Sequence, residues 1–113
     1  VGSDLGVHPI PERIGYCPSK AGVIMLTKCI ALEYAPDIRV NAILPGLVRT
    51  PMIEQRFTEA EDPKALEEAY ASLYPLHKMG KIEDMANAIA FLSSDESGFI
   101  TGEIMHVCGG SLI

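Results

Sequence analysis

Tyr16 and Lys20 stand four residues apart in Tyr16-Cys17-Pro18-Ser19-Lys20. On a helix that spacing stacks two side chains on one face, so a phenol and an ammonium would share one space. An ordinary phenol titrates near ~10 and is a poor base at neutral pH. A neighbouring ammonium favours the phenolate, which gives an acid/base able to exchange a proton with an alcohol or carbonyl oxygen. The spacing alone is weak evidence, because Tyr74-Pro75-Leu76-His77-Lys78 repeats it. There Pro75 turns Tyr74 away from helical dihedrals, and the second pair reads as an accident. Ser3, thirteen residues before Tyr16, adds a hydroxyl that can donate to an oxygen as charge builds on it. A loop serine also serves as a turn or cap residue. In Asn41 to Met52, a strand ending at Pro45-Gly46 would place backbone amides and the Thr50 hydroxyl at the carboxyl edge of a parallel sheet, where such folds bind ligands. The alternative is an ordinary strand-to-helix turn, with Thr50 as N-cap ahead of Pro51.

These residues need elements to hold them. Residues 4–15, rich in Gly and Pro, read as an irregular loop. A helix is predicted from Cys17 to Tyr34, with Pro18 tolerated in its first turn and Pro36 ending it. It is apolar on most sides, so burial on most sides is expected. Ile38 to Leu44 reads as a strand stopped by Pro45-Gly46. Helices are predicted over Pro63–Tyr74 and Ile82–Leu92, the latter turning Ile82, Met85, Ala86, Ile89 and Phe91 or Leu92 toward a core. Ile104 to Val107 is a last short strand before Gly109-Gly110. This order implies an α/β chain with parallel strands joined by crossovers. Two strands cannot make that sheet alone, so the chain reads as part of a larger layer structure.

At 113 residues there is room for one small domain and not for two. A hydrophobic fraction of 48% means that a core must be buried. The net charge of −6 argues against the basic face that nucleic-acid binding requires. No carboxylate cluster has the spacing of a calcium loop, and His8, His77 and His106 are too scattered for a ligand set, so no metal is expected. Cys17, Cys29 and Cys108 lack CxxC spacing and read as small packing groups in a reducing cytosol. The longest apolar run, Ala21 to Leu26, is far short of the ~18 residues of a membrane span. The chain starts at Val1 without a methionine, which leads us to expect further residues upstream.

Taken together, these segments resemble the short-chain dehydrogenase/reductase family over essentially the whole chain. Ser3-Asp4-Leu5-Gly6 is similar to the end of the family's serine strand, and Tyr16 to Gly22 to its Tyr-x-x-x-Lys segment. Arg39-Val40-Asn41 through Pro45-Gly46, with Thr50-Pro51-Met52, resembles the segment closing over the nicotinamide. Ser93-Ser94-Asp95 and Ile100-Thr101-Gly102-Glu103 are similar to the closing stretch. The resemblance implies the C-terminal part of a Rossmann-like, doubly wound parallel sheet, a single partial domain over residues 1–113 without its N-terminal nucleotide-binding half. It implies hydride transfer between NAD or NADP and an alcohol/carbonyl pair. Tyr16 would be the acid/base, and Lys20 would tune it and hold the nicotinamide ribose. Ser3 would orient the substrate oxygen, and Pro45, Gly46, Val48 and Thr50 would line the nicotinamide. A small-molecule substrate and a cytoplasmic homotetramer or homodimer are also implied.

Two departures stand out. Cys108 precedes the glycine pair where the family usually has aspartate, and no Gly-rich pyrophosphate turn occurs. That second departure leaves another class open, a truncated, cofactor-free relative acting as a binding or assembly module. The substrate is not legible. Met52, Ile53, Phe57 and Tyr70 suggest a partly apolar pocket, while Arg49, Glu54 and Arg56 read as surface charges rather than substrate contacts.

Overall fold

The computed structural model describes residues 1–113. A 3-10 turn (Asp4–Gly6) precedes α1 (Tyr16–Glu33), followed by β1 (Ala42–Pro45), α2 (Pro51–Glu59), α3 (Pro63–Ser72), α4 (Ile82–Ser93), a second 3-10 turn (Asp95–Ser97) and β2 (Ile104–Val107). The two strands pair in parallel, with Ala42 opposite Ile104 and Pro45 opposite Val107. Parallel neighbours need a long crossover, and α2 to α4 provide it. The Gly2 N–H donates to the Ile43 carbonyl at 2.9 Å, so the first residues run along the opposite edge of β1. Ser3 therefore leaves the sheet near the carboxyl end of β1.

Ala42, Ile43 and Leu44 are buried, as expected of a central parallel strand. A second cluster, Ile53, Phe57 and Met79 with Leu47, Leu66 and Tyr70 against it, joins α2 and α3 to the turn after β1. Pro51 and Pro63 sit in the first turns of α2 and α3, where a missing N–H costs nothing. The Asp62 side chain caps α3 by accepting from the Ala65 N–H at 3.0 Å.

Burial is sparse beyond these clusters, with 16 of 113 residues buried. The radius of gyration is 15.7 Å, against about 13 Å for a compact domain of this length. The expectation for α1 needs correction here. Its apolar sides are not buried: Met25 is 58% exposed and Leu32 84%, with only Cys17, Thr27 and Ala31 buried. The Asp4–Gly6 turn and the loop at Gly102 lie against this helix and leave those sides bare. Cys29, expected to pack, is exposed on the same uncovered side.

The first strand is also shorter than predicted. Residues 38–41 leave the ladder because their polar groups are engaged elsewhere. The Arg39 guanidinium donates to the carbonyls of Leu92, Ser94 and Ile100, closing the C-terminal end of α4. The Asn41 amide donates to Ile100 and accepts from the Glu103 N–H. Arg39 and Asn41 are thus clamps between α4 and the approach to β2. The predicted helix 63–74 stops at Ser72, ahead of Pro75. In α4 it is Leu92 that is buried, while Ile82, Ile89 and Phe91 are exposed. The helix α2 had a legible start in Thr50-Pro51.

Candidate active site

Ser3 caps the first 3-10 turn, its Oγ accepting from the Leu5 N–H at 3.2 Å. The same hydroxyl donates to Asp4 Oδ1 at 3.2 Å, and both residues are buried. This turn lies directly against the start of α1. A Cβ on Gly6 would stand 2.8 Å from the carbonyl carbon of Lys20, a distance only glycine permits. Gly6 therefore brings the Ser3 segment onto the backbone that carries Tyr16 and Lys20.

Tyr16 opens α1, one residue earlier than predicted, and is 43% exposed. Lys20, one turn on, places its Nζ 5.6 Å from the centre of the Tyr16 ring, so phenol and ammonium share a face. The ammonium makes one long bond, 3.4 Å to the Val1 carbonyl, which leaves donors free. Tyr16 and Lys20 thus share one face of α1, and the segment that carries Ser3 adjoins the same helix at Gly6.

The second group of predicted residues follows β1. Pro45 ends the strand opposite Val107, and Val48 bridges to Gly80. Within this turn the Gly46 N–H donates to Val107, the Arg49 N–H to Gly80 and the Thr50 N–H to Val48. The Leu47 N–H donates to the Tyr74 hydroxyl at 2.7 Å. Only the Val48 N–H has no partner in the chain. The Thr50 hydroxyl is also unengaged, because it makes no capping bond to α2. A half-buried amide and a free hydroxyl two residues apart on the turn suit a carboxamide, while the Lys20 and Tyr16 donors suit sugar hydroxyls. The donor set therefore fits a nicotinamide nucleoside.

Gly46 also packs against the residues beneath the turn. A Cβ there would meet the Tyr74 ring at 2.9 Å and the Cys108 backbone at 3.2 Å, so its bareness serves the packing beneath the turn. It lines a cleft of about 460 Å³ with Tyr74, Met79, His106 and Cys108, and Ser3, Tyr16 and Lys20 do not border that cleft. Arg49 pairs with Glu54 and Glu67 on the surface, and their carboxylates raise its pKa above the ordinary value. No three His, Cys, Asp or Glu side chains converge as a metal-binding group.

Three polar residues here were not found by sequence reasoning. Asp4 Oδ2 accepts from the Ser111 hydroxyl at 2.8 Å, tying the C-terminal turn to the serine segment. Tyr74 does not pair with Lys78. It is buried, and burial raises the pKa of its phenol, with the Leu47 N–H opposing and the charges of Asp4 and Cys108 adding to the rise. Pro75 was the available signal, since it detaches Tyr74 from α3.

A family model described as enoyl-(acyl carrier protein) reductase matches residues 1–111. The 3-oxoacyl-(acyl-carrier-protein) reductase FabG of Thermotoga maritima is 42% identical, over 100% of this chain and 44% of the relative. The 3beta-hydroxysteroid dehydrogenase 1 of Eggerthella lenta is 46% identical, over 92% of this chain and 39% of its own length. Among solved structures, the Cj0485 dehydrogenase superposes with a TM-score of 0.94 at 33% identity, covering 98% of this chain and 44% of that one. A 4-hydroxyisoleucine dehydrogenase complexed with NADH gives a TM-score of 0.88 at 38% identity, with the same coverage. A short-chain dehydrogenase/reductase from Brucella melitensis gives 0.85 at 29%, covering 99% of this chain and 43% of the other. The chain spans less than half the length of each of these proteins.

Proposed function

The chain belongs to the short-chain dehydrogenase/reductase family, and from that premise we propose that it is the catalytic half of an NAD(P)-dependent alcohol/carbonyl oxidoreductase. In this reading the nucleotide-binding half of the Rossmann-like sheet lies upstream of Val1, pairing along the edge of β1 that Gly2 begins to cover. The carrying observation is the joint placement of Tyr16 and Lys20 on one face beside the Ser3 turn, held there by the Gly6 contact.

The residues then divide the chemistry among them. Tyr16 gives a proton to the carbonyl oxygen in reduction and takes it back in oxidation. The Lys20 ammonium faces the charge that forms on the phenol, and its free donors hold ribose hydroxyls. Ser3, whose single hydroxyl proton goes to Asp4 in this structure, would turn that proton to the substrate oxygen. The Val48 N–H and the Thr50 hydroxyl would hold the carboxamide. The hydride would come from, or go to, a dinucleotide bound by these residues. Pro45 and Gly46 would line the nicotinamide and shape the turn that holds it. The substrate class is a small alcohol or carbonyl compound, and the uncovered sides of α1 and of α4 with β2 serve assembly into a homodimer or homotetramer.

The exposed apolar side of α1 supports a second reading, a cofactor-free assembly module. Titrating NADH and NADPH, followed by nicotinamide fluorescence, separates the two. The enzyme reading expects micromolar binding by the complete protein and little by the 113-residue chain alone. A complete protein that binds neither dinucleotide contradicts it.

A further inference from the structure

Tyr74 is the one buried phenol in the molecule, and no catalytic step above uses it. Its hydroxyl lies 2.7 Å from the Leu47 nitrogen, an approach between residues 27 apart in sequence. Its ring is held from two sides. A Cβ on Gly46 would stand 2.9 Å from it, and one on Gly109 would stand 3.3 Å from its own Cβ. Gly109 also has φ of +59°, so the C-terminal turn can fold over the ring only with glycine there. The Gly109 carbonyl accepts from the Leu76 N–H at 3.2 Å, which fastens the same turn to the segment just past Tyr74. Tyr74 is therefore fixed before it bonds Leu47, and it fixes Leu47 in turn.

The consequence falls on the neighbouring amide. In the stretch 46–50 every N–H but one has a partner, and the bond from Leu47 to Tyr74 is the only one of these made to a side chain. Without that acceptor the turn would have two adjacent unpaired amides, at Leu47 and Val48, and no fixed choice of which to present.

We propose that Tyr74 is a positioning residue for the dinucleotide, holding the turn after β1 so that the Val48 N–H alone is offered to the carboxamide. The proposal rests on the oxidoreductase reading above and adds a residue outside its motifs. The phenol stays protonated at neutral pH because burial opposes its ionisation, so its oxygen keeps a steady acceptor role.

Tyr74→Phe deletes the hydroxyl and keeps the ring. In the complete protein the expected result is a dissociation constant for NADH or NADPH raised about tenfold, the effect of a buried N–H losing its acceptor. The cofactor KM should rise with it while kcat at saturating cofactor stays within about twofold. Tyr34→Phe makes the same chemical change at an exposed phenol beyond α1 and should alter neither. In the unaltered protein the Leu47 amide should be protected from hydrogen exchange, and Tyr74→Phe should speed its exchange at least about tenfold. Unchanged dinucleotide affinity in Tyr74→Phe, or an unprotected Leu47 amide in the parent, overturns the proposal. A parent that binds neither NADH nor NADPH instead overturns the oxidoreductase reading, and this proposal falls with it.

Discussion

The corner formed by Ser3, Tyr16 and Lys20 and the corner formed by Leu47, Tyr74 and Gly109 handle their polar groups in opposite ways. In the first, the phenol is 43% exposed and the ammonium makes a single long bond. In the second, the phenol is buried and bonded, and two glycines press backbone against its ring. Two tyrosines with the same Tyr-x-x-x-Lys pattern thus come to different ends. The group that the oxidoreductase reading assigns to proton exchange is left unsatisfied at the surface of a helix. A group that must hold a shape is satisfied and covered. The four-residue spacing decides neither; the helix under Tyr16 and the proline after Tyr74 do.

That contrast can be broken from either side. Lys20→Ala in the complete protein should lower turnover at least about a hundredfold and weaken cofactor binding about tenfold, if the ammonium serves both the phenol and the ribose as proposed. Steady-state kinetics and fluorescence titration read the two losses separately. Gly6→Ala puts a methyl group into the Lys20 backbone and should cost about 1–3 kcal/mol of stability, measured by denaturant melts. It should also cost turnover, by shifting Ser3 away from Tyr16. The smallest effect belongs to Tyr74. Its pKa is raised on folding, so the folded state holds its proton more tightly and the contribution to stability is complete below pH ~10. It is lost as pH climbs through the raised value. Alkaline melts should show this loss in the parent and not in Tyr74→Phe.

Much of this architecture was legible because it is local. The helix from Tyr16, the start of α4 and the whole of β2 follow from hydrophobic spacing and from proline and glycine punctuation. The strand before Pro45 was drawn too long because Ile38 and Val40 have β-branched side chains. The deciding fact was that Arg39 and Asn41 reach carbonyls some sixty residues away. Burial of α1 failed as an expectation because periodicity reports what a helix needs to cover, not whether the chain supplies the cover. In the candidate site, Tyr16 with Lys20 was readable as a pair, and Ser3 and the turn at Pro45–Thr50 through the ordered set of motifs. Asp4 with Ser111 and Tyr74 with Leu47 join segments distant in sequence through single hydrogen bonds, and no local pattern encodes them.

Tyr16→Phe in the complete protein tests the central assignment most directly, with turnover and NADH or NADPH affinity measured on the same preparation. Removing the proposed acid/base hydroxyl should lower turnover at least about a hundredfold and leave the dissociation constant within about threefold. Retained turnover in Tyr16→Phe would contradict the account, because no other phenol stands beside both Lys20 and the Ser3 turn.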